Sequence, residues 1–290
     1  MKLMDILAIT LLVLIWGTAY TVTGYTMKFV PIMFLYAIRF GLAGLITLPF
    51  SKFPPKEDRM KIVSFGVVQG FIFVFIALAM KNIDSSLSSI LVCLDAPITI
   101  LMASIIFKEK INWNLIVGLI ICFSAIYIIS GGIQEKSNII YVFCLVISAT
   151  LSATSNIVSK SIKNTNPTSI TCYSSFFISA TMLIFSLLFK ENVLTTIVDI
   201  DLKAIILLLY LAVGPSMVAY QCLHFLLNRN MTTKIMPMNF FKPTVGVTSA
   251  YFVLGEPLNK EKIIGLIMII IGVYLSECDF GKKKNKENRE

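Results

Sequence analysis

The sequence has few of the residues from which soluble domains and metal sites are built. Only 14% of its 290 residues are charged, and histidine occurs once. None of the six cysteines forms a Cys-x-x-Cys pair, and all fall in or beside apolar runs, which predicts reduced, buried thiols and no disulfide framework. A single histidine is too few for an ordinary zinc or haem site. We therefore predict no metal, no cofactor and no catalytic residue.

Apolar side chains are what the sequence has in abundance. Hydrophobic residues make up 57% of the chain, and the mean hydropathy is +0.84. There are about ten apolar runs of roughly twenty residues, each long enough to cross the hydrocarbon core as a helix. Such runs leave only short connections between them. The sequence thus predicts an all-α membrane protein with ten transmembrane helices and no soluble domain.

The basic residues predict the orientation of this protein in the membrane. The net charge of +9 would suggest nucleic acid in a soluble chain, but here it indicates cytoplasmic connections rich in Lys and Arg. With both termini in the cytoplasm, the inner segments hold fifteen basic residues and the outer ones seven. Residues 281–290 form a basic tail that can approach anionic lipid. We predict a multi-pass protein of the bacterial plasma membrane, with no nucleic-acid partner.

One stretch of the sequence occurs twice, at an offset of 147 residues, close to half the chain. The six identities are Glu109/Glu256, Asn112/Asn259, Gly118/Gly265, Leu119/Leu266, Ile120/Ile267 and Tyr127/Tyr274. This pattern indicates an internal duplication. Because each copy has an odd number of predicted spans, five, the second copy must enter the membrane inverted relative to the first. Inverted repeats of this kind are typical of secondary transporters.

Several short motifs give the sequence a family resemblance over nearly its whole length. They are Trp16-Gly17-Thr18, Arg39-Phe40, Pro97 twelve residues before Glu109, Pro243 thirteen before Glu256, Gly255-Glu256-Pro257-Leu258, Gly265 and Gly272-Val273-Tyr274. Together they resemble the EamA branch of the drug/metabolite transporter superfamily. The resemblance implies two inverted five-helix repeats, at residues 1–132 and 138–280, with both termini in the cytoplasm. It also implies a central cavity and the export of amino acids, related metabolites or toxic small molecules.

Two charged residues lie at near-equivalent places in the two copies. Asp95 precedes Pro97 by two residues, and Lys242 directly precedes Pro243. Each proline removes a backbone donor and frees a carbonyl, which a lipid-facing helix could not leave unpaired. A charge at this depth is expected to meet a partner or water. Asp95 and Lys242 can therefore form a permanent ion pair, bind a zwitterionic cargo, or exchange a proton that acts as coupling ion.

Other residues in the predicted spans are candidates for the cavity lining. Arg39 is a cation in the second predicted transmembrane helix. It can bind an anionic group or make structural contacts with other helices. The remaining candidates are polar or aromatic, and each can equally serve packing: Asn239, Gln221, His224, Tyr220, Trp16, Tyr20, Phe71 and Phe75. A structural role is predicted for Pro97, Pro243, Gly118, Gly265, and for Glu109 and Glu256, which precede helices whose N-terminal dipole favours negative charge.

These observations predict a secondary transporter of a small polar metabolite that works by alternating access and is not an enzyme. Export of amino acids or related compounds is the first hypothesis, by family analogy. Efflux of lipophilic cations is the alternative, although a basic Lys242 disfavours it. A non-transporting membrane scaffold is the alternative from another class. The expected partners are the small-molecule cargo, membrane lipid and a coupling proton, and the oligomeric state, including a monomer, stays open.

Overall fold

A computed structural model describes residues 3–106, 113–129, 136–193, 196, 200–222 and 238–278. In this part of the chain every regular element is helical. The helices are α1 (Leu3–Thr26), α2 (Ile32–Thr47), α3 (Lys56–Met80), α4 (Ser85–Leu91), α5 (Asp95–Ile106), α6 (Trp113–Ile129), α7 (Lys136–Ser161), α8 (Pro167–Leu188), α9 (Leu202–Val213), α10 (Met238–Leu254) and α11 (Lys260–Cys278).

The surface of these helices has the apolar character expected next to lipid. Among the described residues, five helical stretches are long and apolar enough to span a membrane: Leu3–Thr26, Ile32–Phe50, Lys56–Met80, Pro167–Leu188 and Leu202–Cys222. Large apolar side chains are widely exposed, among them Trp113 at 75% and Phe252 at 77%. Exposing such an apolar surface to water is unfavourable, whereas exposing it to the hydrocarbon of a membrane is not. Length, composition and exposure thus agree on a helical membrane protein.

Proline residues break two of the apolar runs, as the sequence suggests. The run that contains Pro97 is divided into α4, a 3₁₀ turn at Val92–Leu94 and α5. The run that contains Pro215 passes through a π-helical turn at Gly214–Val218 directly after α9. In both cases the proline lacks the N–H that would bond to the carbonyl four residues earlier, and the local geometry changes to accommodate it.

Glycine residues bring helices from the two halves of the sequence into close contact. A Cβ atom added at Gly17 of α1 would lie 2.6 Å from Val245 of α10, and one at Gly70 of α3 would lie 2.7 Å from Thr181 of α8. A Cβ added at Gly272 of α11 would lie 2.7 Å from the Gly118 carbonyl of α6. Small residues permit this close approach in membranes, where packing rather than the hydrophobic effect drives association.

Replacing Gly66 by alanine is expected to destabilise the contact between α3 and α8. The added Cβ would lie 2.9 Å from the backbone carbonyl oxygen of Ser174, which cannot move alone as a side chain can. Overpacking of this kind costs about 1–3 kcal/mol. We expect a lower melting temperature in detergent. Gly214→Ala is the control because its nearest contact would be 3.5 Å away, and equal melting temperatures for the two variants would contradict the prediction.

Candidate functional site

A buried guanidinium lies where α2, α3 and the segment after α9 meet. Arg39, halfway along α2, is 5% exposed, and its Nε donates a 2.9 Å hydrogen bond to the Ser216 hydroxyl. The guanidinium carbon lies 5.1 Å from the centre of the Phe40 ring and 5.9 Å from that of Phe73. Aromatic faces attract a cation at these distances. The site therefore combines a fixed positive charge with an aromatic wall.

The proline break after α9 provides the partner of Arg39. Pro215 cannot donate to the carbonyl of Leu211, and the Ser216 hydroxyl donates to that carbonyl instead, at 3.2 Å. This places the Ser216 oxygen where it can accept from Arg39. The Pro215 carbonyl in turn accepts a 3.1 Å hydrogen bond from Trp16 Nε1 of α1. The Gly214-Pro215-Ser216 sequence thus joins α1 and α2 to the break.

Arg39 has one hydrogen-bond acceptor among the described residues. Arg39 takes no part in the ion pairs Lys61–Asp58, Lys81–Glu191 and Lys262–Asp84 of the described residues. A guanidinium has five N–H donors, and Ser216 is the one acceptor that the described residues give it. A buried charge in a membrane is costly unless polar groups or water meet it. This arrangement is suited to binding an anionic group.

A second cation, Lys242 of α10, lies over the neighbouring ring of Trp16. Its Nζ is 5.3 Å from the centre of the Trp16 ring, and Tyr220 packs edge-on against Trp16 with ring centres 5.5 Å apart. Tyr220 also interacts electrostatically with Arg39. Trp16 and Tyr220 therefore lie between the two cations. We refer to this group as the central cluster, and its members are Trp16, Tyr20, Tyr36, Arg39, Phe40, Phe73, Ser216, Tyr220 and Lys242.

Asp95 is close enough to the central cluster to share a neighbour with Arg39. It begins α5, directly after the 3₁₀ turn, and is half-buried. Tyr20 of α1 interacts electrostatically with both Asp95 and Arg39. The broken helix thus places a carboxylate and a guanidinium near one tyrosine. The Asp95–Lys242 ion pair stays a prediction.

The other predicted lining residues are distributed more widely. Gln221 donates a 3.2 Å hydrogen bond to the Thr168 hydroxyl at the start of α8. Phe71 is 40% exposed and meets Phe185 of α8 edge-on, with ring centres 5.8 Å apart, while Phe75 is half-buried. Asn239 lies on the first turn of α10. His224 lies outside the described residues.

The residues predicted to be structural fall at helix breaks, helix contacts and connections. Pro97 follows the break before α5, and Pro243 lies inside α10. Gly118 and Gly265 are buried on α6 and α11. The Glu256 carboxylate accepts from the backbone N–H groups of Ser85 and Ser86, so it caps α4 and not the following helix α11. Glu109 lies outside the described residues.

Four members of the central cluster are absent from the predicted site residues: Tyr36, Phe40, Phe73 and Ser216, of which Phe40 belongs to the Arg39-Phe40 family motif. The signal for Ser216 is its place directly after Gly214-Pro215, where a hydroxyl can bond the carbonyl that the proline frees. The signal for Tyr36 is its place three residues before Arg39 on one helix face. Phe73 had no signal of its own, because it stands in a run that is aromatic at residues 71, 73 and 75.

The apolar helices and the charged centre together define a multi-pass membrane protein. The family described as "EamA-like transporter family" matches residues 3–131 and again residues 139–277. The chain therefore belongs to the EamA-like transporter family, which confirms the resemblance seen in the sequence. It is a transporter and not an enzyme.

Curated relatives match the chain almost from end to end. A protein of Salmonella typhimurium (strain LT2), named "Probable amino-acid metabolite efflux pump", is 25% identical over 280 residues, which is 93% of each chain. A protein of Escherichia coli (strain K12) with the same name is 25% identical over 92% of each chain. An "Uncharacterized transporter" of Archaeoglobus fulgidus is 25% identical over 95% of this chain and 98% of its own.

A solved structure supports the fold. The present chain resembles a protein of known crystal structure with a TM-score of 0.66, over 94% of this chain and 96% of that one. The two sequences are 13% identical, so the likeness concerns the fold alone.

Proposed function

We propose that this protein is a secondary transporter that exports amino acids or related small polar metabolites across the bacterial plasma membrane by alternating access. The observation that carries the proposal is the pair of cations, Arg39 and Lys242, on helices from different halves of the sequence, with Trp16 and Tyr220 packed between them. A buried positive centre favours a cargo with a carboxylate or another anionic group. The names of the Salmonella and Escherichia relatives support the amino-acid class.

Each part of the site has a role in this proposal. Arg39 and Lys242 bind the carboxylate of the cargo. Asp95 binds its amine or carries the coupling proton. The rings of Trp16, Tyr20 and Tyr220 pack against the apolar part of the cargo. Further polar or aromatic lining comes from the remaining candidates, Gln221, His224, Asn239, Phe71 and Phe75.

The proposed topology follows from the duplication. Ten transmembrane helices form two inverted five-helix repeats, at residues 1–132 and 138–280, with both termini in the cytoplasm and the basic tail 281–290 next to the inner leaflet. The double match of one family to residues 3–131 and 139–277 supports two repeats. The cargo lies between the repeats and exchanges with either side in turn. Membrane lipid surrounds the protein.

Counterflow in liposomes tests the class of cargo directly. Proteoliposomes are loaded with one unlabelled compound at a time and then given trace labelled compound outside. The test groups are amino acids, nucleotide-derived metabolites and lipophilic organic cations. We expect transient accumulation with amino acids or related zwitterions and none with the cations. Accumulation of the cations alone would favour the alternative of drug efflux, and a full screen without counterflow would favour a non-transporting scaffold.

A further inference from the structure

The connection between α3 and α4 is held from two sides by residues of the second half of the chain. Together with the first two residues of α4, it forms the 81–86 segment. Lys81 Nζ lies 2.8 Å from Glu191, Asp84 pairs with Lys262, and Glu256 accepts at 2.9 Å from the backbone N–H groups of Ser85 and Ser86. These contacts lie within six consecutive residues, so they share one face of the molecule. They fasten the two sequence halves together there.

Glu256 and Glu191 engage helix N-termini in the same way. Both Glu256 oxygens accept from the first turn of α4, and the Ser86 hydroxyl adds a further hydrogen bond. The Glu191 carboxylate accepts from the N–H of Phe34 at 3.0 Å and of Met33 at 3.4 Å, in the first turn of α2. A negative charge is favourable at such ends because their N–H groups are unpaired and the helix dipole is positive.

The backbone supports a special role for these two glutamates. Within the described residues a positive φ occurs at two positions, Lys190 with φ 52° and Gly255 with φ 69°. Each directly precedes one of the glutamates. This left-handed conformation suits glycine and is unfavourable for a residue with a Cβ, such as Lys190. Each carboxylate is thus presented by a sharp local turn of its connection.

We propose that Glu191 and Glu256 are latches that close this face of the transporter, and that releasing them opens a path to the central cluster. The sequence alone does not predict that either glutamate joins distant helix ends. This proposal rests on the proposed function in one respect, namely that this face of the transporter opens. One partner of each ion pair is exposed, because the side chains of Lys81 and Asp84 are 34% and 47% exposed, whereas those of Glu191 and Lys262 are 6% and 9% exposed. Water can replace the partners there when the helices that carry them move apart.

The native cysteines provide a measure of opening that needs no cargo. Cys93 lies in the turn between α4 and α5 and is 5% exposed, whereas Cys122 is fully buried in the contact between α6 and α11. The experiment measures how fast a water-soluble maleimide modifies each thiol in detergent-purified protein, by peptide mass spectrometry. The variants are Glu256→Gln and Glu191→Gln, which keep the side-chain shape but lose the charge. Glu261→Gln, an exposed glutamate in the first turn of α11, is the control.

We expect each latch variant to raise the Cys93 rate about tenfold, the effect of losing a charge-assisted hydrogen bond, with the Cys122 rate unchanged. The control variant should leave both rates unchanged. Equal rates in the latch variants and the parent would overturn the proposal. A parallel rise at Cys93 and Cys122 would overturn it too, because it would mean general loosening. Failure of counterflow with amino acids would contradict the proposed class of cargo. It would not change what the cysteine modification rates show about opening.

Discussion

Arg39→Gln is expected to slow amino-acid counterflow by about 10- to 100-fold at low cargo concentration. Hydrogen bonds to charged groups contribute about 1.5–3 kcal/mol, and about 1.4 kcal/mol corresponds to a factor of ten. The loss should appear mainly as a higher KM, because Arg39 is proposed to bind the cargo carboxylate. Arg39→Lys should recover part of the affinity, since it keeps the charge but loses the planar arrangement of donors.

A matched control separates this effect from the loss of any arginine. Arg59 also donates to a neighbour, the Pro54 carbonyl at 3.0 Å, and lies 4.4 Å from the Phe53 ring centre, but it is exposed. Arg59→Gln should therefore transport as the parent does. If Arg39→Gln lowered the melting temperature and left KM unchanged, Arg39 would be a structural residue. Its bond to Ser216 would then be the whole of its role.

The aromatic wall shows what the sequence could and could not predict. Phe71, Phe73 and Phe75 lie on a predicted span, and the sequence makes Phe71 and Phe75 candidates for the cavity lining. Because they are four residues apart they share a helix face, while Phe73 lies on the other side and meets Arg39. Lipid is as apolar as the protein interior, so hydrophobicity does not tell which face of a membrane helix points inward. Helix existence was predictable, but helix rotation was not.

Glu256 shows the same limit for polar residues. The sequence predicts that it serves a helix N-terminus, and the structure places it at one. However, the helix is α4, whose capped residues Ser85 and Ser86 lie about 170 positions earlier in the chain. Pairing over such a distance depends on how the two halves assemble. A repeat in the sequence indicates that halves exist and does not indicate which ends meet.

The packing also bears on how alternating access could work. Close glycine contacts join α1 with α10, α3 with α8 and α6 with α11, and each of these pairs takes one helix from each half of the sequence. Since packed helices are not continuously deformable, such contacts resist a motion of one whole half against the other. We therefore expect the moving units to be smaller groups of helices. The breaks at Val92–Leu94 and Gly214–Val218 are natural hinges for them.

Asp95→Asn is expected to abolish accumulation driven by a pH gradient while counterflow persists. A carboxyl group can take up and release a proton at the central cluster, whereas an amide of the same shape cannot. The position supports this role, because Asp95 is half-buried at the break before α5 and interacts with Tyr20, which also interacts with Arg39. Binding of a proton to Asp95 can change the charge that Arg39 and the cargo encounter. Proton movement and cargo movement across the membrane would thereby be coupled.

The measurement compares two assays on the same proteoliposomes: counterflow without a gradient, and uptake or efflux after a pH jump. Glu57→Gln is the control, since Glu57 is an exposed carboxylate in the first turn of α3. We expect Glu57→Gln to retain both activities and Asp95→Asn to retain counterflow alone. Equal pH-driven transport in Asp95→Asn and the parent would remove Asp95 from proton coupling. Loss of both activities would make Asp95 a cargo ligand instead. Counterflow at equal pH needs cargo binding but no net proton transfer, so a group needed for it contacts the cargo.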